Sequence, residues 1–412
     1  MGALRIETFS GPDLTRVTLV YLVAGEESGD VLGARLMLAL RTLRPDVTFA
    51  GLGGTRMAAL GLVPLFPMRE LAVMGLLEVL PKIMRLRARL HQMAADILAR
   101  RPDVVVTIDS PGFTLRLLKL IKNSGLKRVH YVAPQVWAWR EGRVKHFPGL
   151  WDRLLCLFPF EPAFFARHGL EARFVGHPAL ESGVDGGDAA RFRAKFAVPD
   201  GARLLLVMPG SRRSEVGRLL PVLAETLALL RSAYPDLIPV VPVAHAVAET
   251  VIAATASWPV RPIVVTEIAD KHDAFSAATA ALTKSGTSTL ELAIAGVPMV
   301  VTYRVNALTA MIARRLIKVQ FAAIVNLLAD RMVVPELIQQ DSTPPRLAAE
   351  IARLLGDPGA VAAQKAAFAD LIAALRPPSG SPSDAAAREV LDLAGRALNQ
   401  ASGGTGAASR RR

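Results

Sequence analysis

Thr283-Lys284-Ser285-Gly286-Thr287-Ser288-Thr289-Leu290-Glu291-Leu292-Ala293-Ile294-Ala295-Gly296-Val297-Pro298 follows the aliphatic run Ala278 to Leu282 and precedes Met299-Val300-Val301. That order predicts strand, tight turn, helix and strand. Gly286 permits a sharp turn and close approach of a ligand to the backbone. Ser285, Thr287 and Ser288 offer hydroxyls and open amides, and the helix starts with unpaired N–H groups at its partially positive end. Such a helix start suits a phosphate. Glu291 lies one helical turn beyond Thr287, so its carboxylate is placed to accept from a pair of hydroxyls such as a ribose diol. Phosphate with ribose means a nucleotide. An ordinary strand-to-helix turn, with a capping serine and a solvated glutamate, is the alternative this stretch leaves open.

The same pattern recurs on the amino-terminal side. Leu204 to Met208 reads as a strand, Pro209-Gly210-Ser211-Arg212-Arg213 as a glycine turn with cations for an anionic group, and Val216, Leu219, Leu220, Leu223 and Leu227 mark one face of the next helix. Further strands are expected at Leu237 to Val243, Pro262 to Thr266 and Val297 to Val301. Ahead of this block, residues 182–202 shift to turn-forming composition and mark a domain boundary. Earlier still, Val17 to Val23 is a continuous aliphatic run, as in a strand buried on both faces. It leads into Ala24-Gly25-Glu26-Glu27-Ser28-Gly29-Asp30, an acidic turn before a helical pattern from Val31 to Leu43. Acids there suit hydroxyls, and capping of the helix by Ser28 or Asp30 is the plainer alternative. Val104 to Ile108 is another buried strand, with Asp109-Ser110-Pro111-Gly112-Phe113 at its carboxyl end. Asp109 is placed there for chemistry, unless it serves only as a turn aspartate bonding its own backbone. Gly51-Leu52-Gly53-Gly54-Thr55-Arg56 fails as a dinucleotide fingerprint, because Arg56 replaces the third glycine and no ribose-binding acid ends a later strand at the required distance.

Composition narrows the classes. A chain of 412 residues exceeds what one core usually serves, and 51% hydrophobic with 21% charged residues is globular. The net charge of +13 favours an anionic partner, whether nucleic acid, phosphorylated substrate or anionic membrane. The apolar run at Val17 is a first strand and not a signal peptide, and Asp236, His245 and Glu249 interrupt the most apolar candidate for a membrane span. Cys156 is the single cysteine, which excludes an intrachain disulfide and a cysteine-based metal site and suits a reducing cytoplasm. Phe66 to Leu80 is apolar and is followed by Lys82, Arg85, Arg87 and Arg89. It could dock on anionic lipid through Phe66, Val73, Met74, Leu76 and Leu77, or pack in the core. The recurrence of Ile83, Leu86, Leu90, Met93 and Ile97 predicts an amphipathic helix packed on the core.

The expected fold is therefore α/β, two doubly wound Rossmann-like domains facing across a cleft. The expected divisions are 1–181 for an amino-terminal α/β domain and 182–376 for a carboxyl-terminal α/β domain. A linker and helix take 377–398, and a disordered basic tail 399–412.

Seven segments make the chain recognisable when taken together and in order: Ala24 to Asp30, Phe66 to Val79, Tyr131 to Arg140, Phe174 to Pro178, Pro209 to Arg213, Ser285 to Glu291 and Asn326 to Gln339. From about residue 17 to 355 the chain resembles the lipid-A-disaccharide synthase family, which is similar to two-domain glycosyltransferases of the B type (GT-B). The resemblance implies transfer of 2,3-diacylglucosamine from UDP to the 6-hydroxyl of 2,3-diacylglucosamine 1-phosphate, with inversion, in lipid A biosynthesis. It implies that 1–181 is an acceptor-side, membrane-associating domain and 182–376 a donor-binding one, in which Arg212, Ser285, Gly286 and Thr287 hold the pyrophosphate, Glu291 the ribose and Asn326 a polar position, with Gly210 and Ser211 also UDP-binding. Glu26, Ser28, Gly29 and Asp109 would face the acceptor, with Asp109 favoured as the base over Glu26. It also implies peripheral attachment to the cytoplasmic face of the inner membrane, no nucleic-acid partner, and leaves a homodimer open.

Two departures stand out. Glu27 replaces a usually small residue, and Gly112 replaces a second acid, which leaves Asp109 as the only acid of its loop. No Asp-x-Asp triplet occurs, so no metal or other cofactor is expected, and UDP enters as part of a substrate. A nucleotide-sugar epimerase, a transferase with a soluble acceptor, and a basic surface-binding protein are the competing classes.

Overall fold

The computed structural model describes residues 17–71, 79–139, 141–306 and 320–405. These divide into two compact units. One runs to Val136 and takes in Glu141–Pro178 and the carboxyl-terminal stretch from Arg376. The other is Ala179–Leu375 with the short segment that begins at Trp137.

The first unit is built on six parallel strands: β1 (Leu19–Ala24), β2 (Thr48–Leu52), β3 (Val104–Ile108), β4 (Lys127–Tyr131), β5 (Arg153–Cys156) and β6 (Ala172–Phe174), in the order β2-β1-β3-β4-β5-β6. Val20 to Ala24 and Val104 to Val106 are wholly buried, because helices cover both faces of the sheet and every side chain needs an apolar partner. The second unit carries β7 (Arg203–Met208), β8 (Leu237–Pro242), β9 (Ile263–Val265), β10 (Ala280–Lys284), β11 (Met299–Tyr303) and β12 (Glu336–Ile338), in the order β12-β11-β10-β7-β8-β9. All pairings are parallel. The expected α/β class with two doubly wound sheets is what the chain forms.

Strand order decides where ligands can sit. In each sheet the order reverses once, between β1 and β3 in the first unit and between β7 and β10 in the second. At such a point the connections leave in opposite directions and open a crevice beyond the carboxyl ends of the two strands.

The boundaries differ from expectation in three places. The second unit begins at Ala179, ahead of the turn-rich stretch at 182–202. The final helix, Pro382–Thr405, is not an isolated appendage: it returns to the first unit, where Ala386, Ala387, Val390, Leu393 and Ala394 join the core of β1, β3 and the helix Glu27–Leu43. The buried Arg153 on β5 fixes it through Glu389 (2.7 Å) and Asp392 (2.9 Å). The helix also continues past Leu398 to Thr405, so the backbone of 399–405 is helical, and only residues 406–412 of the expected tail lie outside the described residues.

The long helix Val79–Arg100 buries Leu90, Met93 and Ile97 and leaves Arg85 and Arg87 exposed, as the periodicity predicts. Phe66 is a correction. It is only 4% exposed, and its ring lies 4.9 Å from the Arg89 guanidinium, which also pairs with Glu70 at 2.8 Å. A ring already buried against a paired arginine has no surface left to offer a membrane. Val73, Met74, Leu76 and Leu77 lie outside the described residues.

Candidate functional site

In the first unit the helix after β1 starts at Glu27, several residues earlier than the sequence pattern suggests, so the acidic turn shrinks to Gly25 and Glu26. Glu27 and Asp30 fall in the first helical turn, where negative charge is favourable. Register places Ala24 beside Ile108, and the turns that follow these two residues therefore meet. Ser110 Oγ donates to Glu26 Oε1 at 3.0 Å, and Ser28 Oγ makes a long 3.5 Å contact with Asp109 Oδ2. Gly25 is needed for this closeness: a Cβ there would stand 2.9 Å from Ser110 Oγ.

Asp109 and Ser110 are successive non-glycine residues at φ 49° and 47°, a conformation rare outside glycine. The Asp109 amide donates to the Tyr131 carbonyl on β4, and Thr114 Oγ1 donates to the Asp109 and Ser110 carbonyls, which holds the turn in place. Burial raises the Asp109 carboxyl above the ordinary aspartate value. The Glu26 charge adds to the rise, while the Ser110 amide and the Ser28 hydroxyl oppose it. The two carboxylates chosen from sequence are thus neighbours, and Ser110, which sequence reasoning missed, joins them.

Two residues of the acidic motif have other work. Gly29 is buried, and a Cβ there would meet Ala24 and the Ile108 carbonyl at 3.3 and 3.5 Å, so its lack of a side chain permits helix-to-strand packing. Asp30 caps a different helix from the one expected, accepting from the amides of Gly54, Arg56 and Met57 at 2.7 to 3.1 Å. Those are the amides a dinucleotide turn would present to phosphate, which gives a physical reason for rejecting that fingerprint. His177, in another of the recognised segments, stacks on Phe158 with centroids 5.3 Å apart, and burial pulls its pKa down to about 4.

In the second unit β7 and β10 end side by side, with Thr283 paired to Met208. This brings Gly210, Ser211 and Arg212 alongside Ser285, Gly286 and Thr287. Gly210 adopts φ +107°, which a side chain would disfavour. Ser211 and Arg212 are exposed, and Arg212 precedes the helix Arg213–Ala233, whose first amides are open. Among the described residues no backbone carbonyl accepts from the amides of Gly286 and Thr287. The helix after them is only 7 residues long, Ser288–Ile294, so the stronger helix dipole at this switch point belongs to Arg213–Ala233. Ser285 Oγ donates to the Ala322 carbonyl at 2.7 Å.

Between the turns sits a group that the sequence reading passed over. Buried Glu215 accepts through Oε1 from Arg212 (3.3 Å) and Lys284 (3.2 Å). The spacing of Arg212 and Glu215, one helical turn, was a visible signal; the contact with Lys284 is tertiary. Glu291 lies on its helix as expected, partly exposed, with Lys271 Nζ 2.7 Å from Oε2. Lys271 comes from the helix Ile268–Ala277, itself tied to the turn-rich stretch by Lys195–Asp270 (2.6 Å) and Arg191–Asp273 (2.5 Å).

Asn326 is the second correction. It is fully buried, and its amide is saturated: Nδ2 donates to the Val334 carbonyl and Glu336, while Oδ1 accepts from the amides of Val333 and Val334. Four bonds are all that an asparagine amide can make through these atoms, so none remains for a donor sugar.

Comparison with known proteins agrees with this arrangement. The family model described as lipid-A-disaccharide synthetase matches residues 20–390. The chain is 60% identical to a lipid-A-disaccharide synthase of Gluconobacter oxydans, with 93% of this chain and 92% of the relative covered. It is 58% identical to that of Granulibacter bethesdensis, over 92% and 99%. Among solved structures, UDP-GlcNAc 2-epimerase from Neisseria meningitidis bound to UDP-GlcNAc is similar in fold, with a TM-score of 0.61 at 13% identity and 91% and 99% coverage. A match this long, at this identity, on a chain whose two sheets gather carboxylates at one switch point and cations at the other, leaves one conclusion: the chain belongs to the lipid-A-disaccharide synthetase family and is a glycosyltransferase of lipid A biosynthesis.

Proposed function

We propose that the enzyme joins UDP-2,3-diacylglucosamine to the 6-hydroxyl of 2,3-diacylglucosamine 1-phosphate, releasing UDP and inverting the anomeric centre. The observation that carries this reading is Asp109: a carboxylate with a raised pKa, held in an uncommon backbone conformation at the β1/β3 switch point beside Glu26. A general base must be ionised yet basic enough to accept a proton, and burial with a neighbouring negative charge provides that. Asp109 takes the proton of the attacking hydroxyl as the bond from the anomeric carbon to the UDP oxygen breaks. Arg212 and the open amides at the β7/β10 switch point stabilise the charge that develops on the diphosphate. Assay of UDP release from UDP-diacylglucosamine with and without the acylated acceptor tests the reading. Release that requires the acceptor and yields a disaccharide is expected, and release indifferent to the acceptor overturns it.

Glu291 is assigned to the donor ribose, with Lys271 holding its carboxylate in place. Glu291→Ala is expected to weaken UDP binding by roughly 1.5 to 3 kcal/mol, the range for hydrogen bonds to a charged group. Calorimetric titration showing unchanged affinity in a folded variant removes the assignment.

Both substrates in this reading carry acyl chains, and we place the enzyme peripherally on the cytoplasmic face of the inner membrane. The positive charge of the chain supports this, and among the described residues no helix is long and apolar enough to cross a membrane. Serine at positions 73, 74 and 77 in place of Val73, Met74 and Leu77 is expected to reduce flotation with anionic vesicles while UDP binding persists. A variant that unfolds instead shows that these side chains belong to the core.

A further inference from the structure

Lys284 ends β10 and immediately precedes Ser285-Gly286, yet neither sequence pattern nor the reading above gives its ammonium a task. Its side chain is 19% exposed, while that of Glu215 is 6% exposed and that of Arg212 is 76% exposed. The Lys284 Nζ is 3.2 Å from Glu215 Oε1 and 5.3 Å from the centroid of the Tyr303 ring. It also lies 3.4 Å from the point a Cβ on Gly286 would occupy. The ammonium is therefore held against the glycine turn, within contact distance of Gly286.

We propose that Lys284 is a ligand of the donor diphosphate, acting with Arg212, which shares Glu215 Oε1 with it; this rests on the reading of the β7/β10 switch point as the UDP site. One carboxylate serves two cations, so Arg212, Lys284 and Glu215 together retain one net positive charge. Glu215 also gives the partly buried ammonium an anionic partner and holds it beside the turn. An ammonium has three N–H donors, and the contact with Glu215 uses one of them, leaving donors for phosphate oxygens that approach the amides of Gly286 and Thr287. Uridine without phosphates has nothing for this cation to meet.

The discriminating experiment compares UDP with uridine. Both are titrated by calorimetry or by competition into the full chain and into Lys284→Gln and Lys284→Arg. Glutamine can still donate to Glu215 and so preserves the buried contact. The expected result is that Lys284→Gln binds UDP about tenfold to a hundredfold more weakly, the range for a lost charged hydrogen bond. Uridine affinity should remain unchanged, and Lys284→Arg should recover most of the UDP affinity. Unchanged UDP affinity in Lys284→Gln overturns the inference while leaving the site reading intact. Equal loss of UDP and uridine also overturns it, because Lys284 would then only support the fold of the turn. A native chain that binds UDP no better than uridine removes the site reading, and the inference with it.

Discussion

Replacing Asp109 by asparagine is expected to lower kcat by about 10² to 10⁴, the usual contribution of a general base, with little change in donor KM. Asparagine keeps the size of the side chain and tolerates the φ of 49° found there, so the turn should survive. Stability should not fall with activity. The folded-state pKa of Asp109 is raised, chiefly by burial and further by Glu26, so the ionised carboxylate disfavours the fold. That penalty is absent below the unfolded-state pKa and develops as pH rises through the folded value, and Asp109→Asn removes it. The variant should melt at or above the native temperature at neutral pH.

The pH profile adds a second check. In the native enzyme kcat should fall as pH drops through the raised Asp109 pKa, because the base becomes protonated. Glu26→Gln removes the neighbouring negative charge and should move that limb to lower pH. Near-normal turnover in Asp109→Asn with a dead Glu26→Gln enzyme would reassign the base to Glu26 and leave Asp109 as a turn residue.

The second large effect is structural. Asn326→Ala strips the partners from the amides of Val333 and Val334, the Val334 carbonyl and one bond to Glu336, at a position with no access to solvent. Each buried group left unsatisfied costs about 1 to 3 kcal/mol, so a loss of roughly 3 kcal/mol or more is expected. For a unit of this size that corresponds to a fall of about 10 °C in Tm. The consequence extends to the site, because Glu336 also accepts from the amides of Ala322 and Ala323, and the Ala322 carbonyl receives the Ser285 hydroxyl. Thermal unfolding and UDP titration separate the roles. A variant with native Tm and lost UDP affinity would restore Asn326 as a donor contact, whereas lowered Tm with intact affinity in the folded fraction fits its saturated amide.

What the sequence determined by itself is local. Val17 to Val23, Val104 to Ile108 and Ala278 to Leu282 read as strands because a parallel sheet covered on both faces needs apolar side chains at every position, and such runs are visible without any partner. The turns after them were visible for the same reason: Gly25, Gly210 and Gly286 interrupt aliphatic runs where the backbone must bend, and the polar residues beside them sit at strand ends. Helix spacing carried Glu291 from Thr287. Tertiary structure decided which turns meet. Glu26 and Asp109 become neighbours only because β1 pairs with β3, and Lys284 reaches Glu215 only because β10 pairs with β7. Those pairings join segments far apart in the chain, and no local preference encodes them. Burial likewise decided what residue type alone could not. Asn326 and Phe66 have the residue types of a ligand contact and a membrane contact, but one amide is saturated by its own loop and one ring is covered by a paired arginine. A side chain's chemistry is written in the sequence; whether its donors, acceptors or apolar surface remain free depends on which distant residues pack against it.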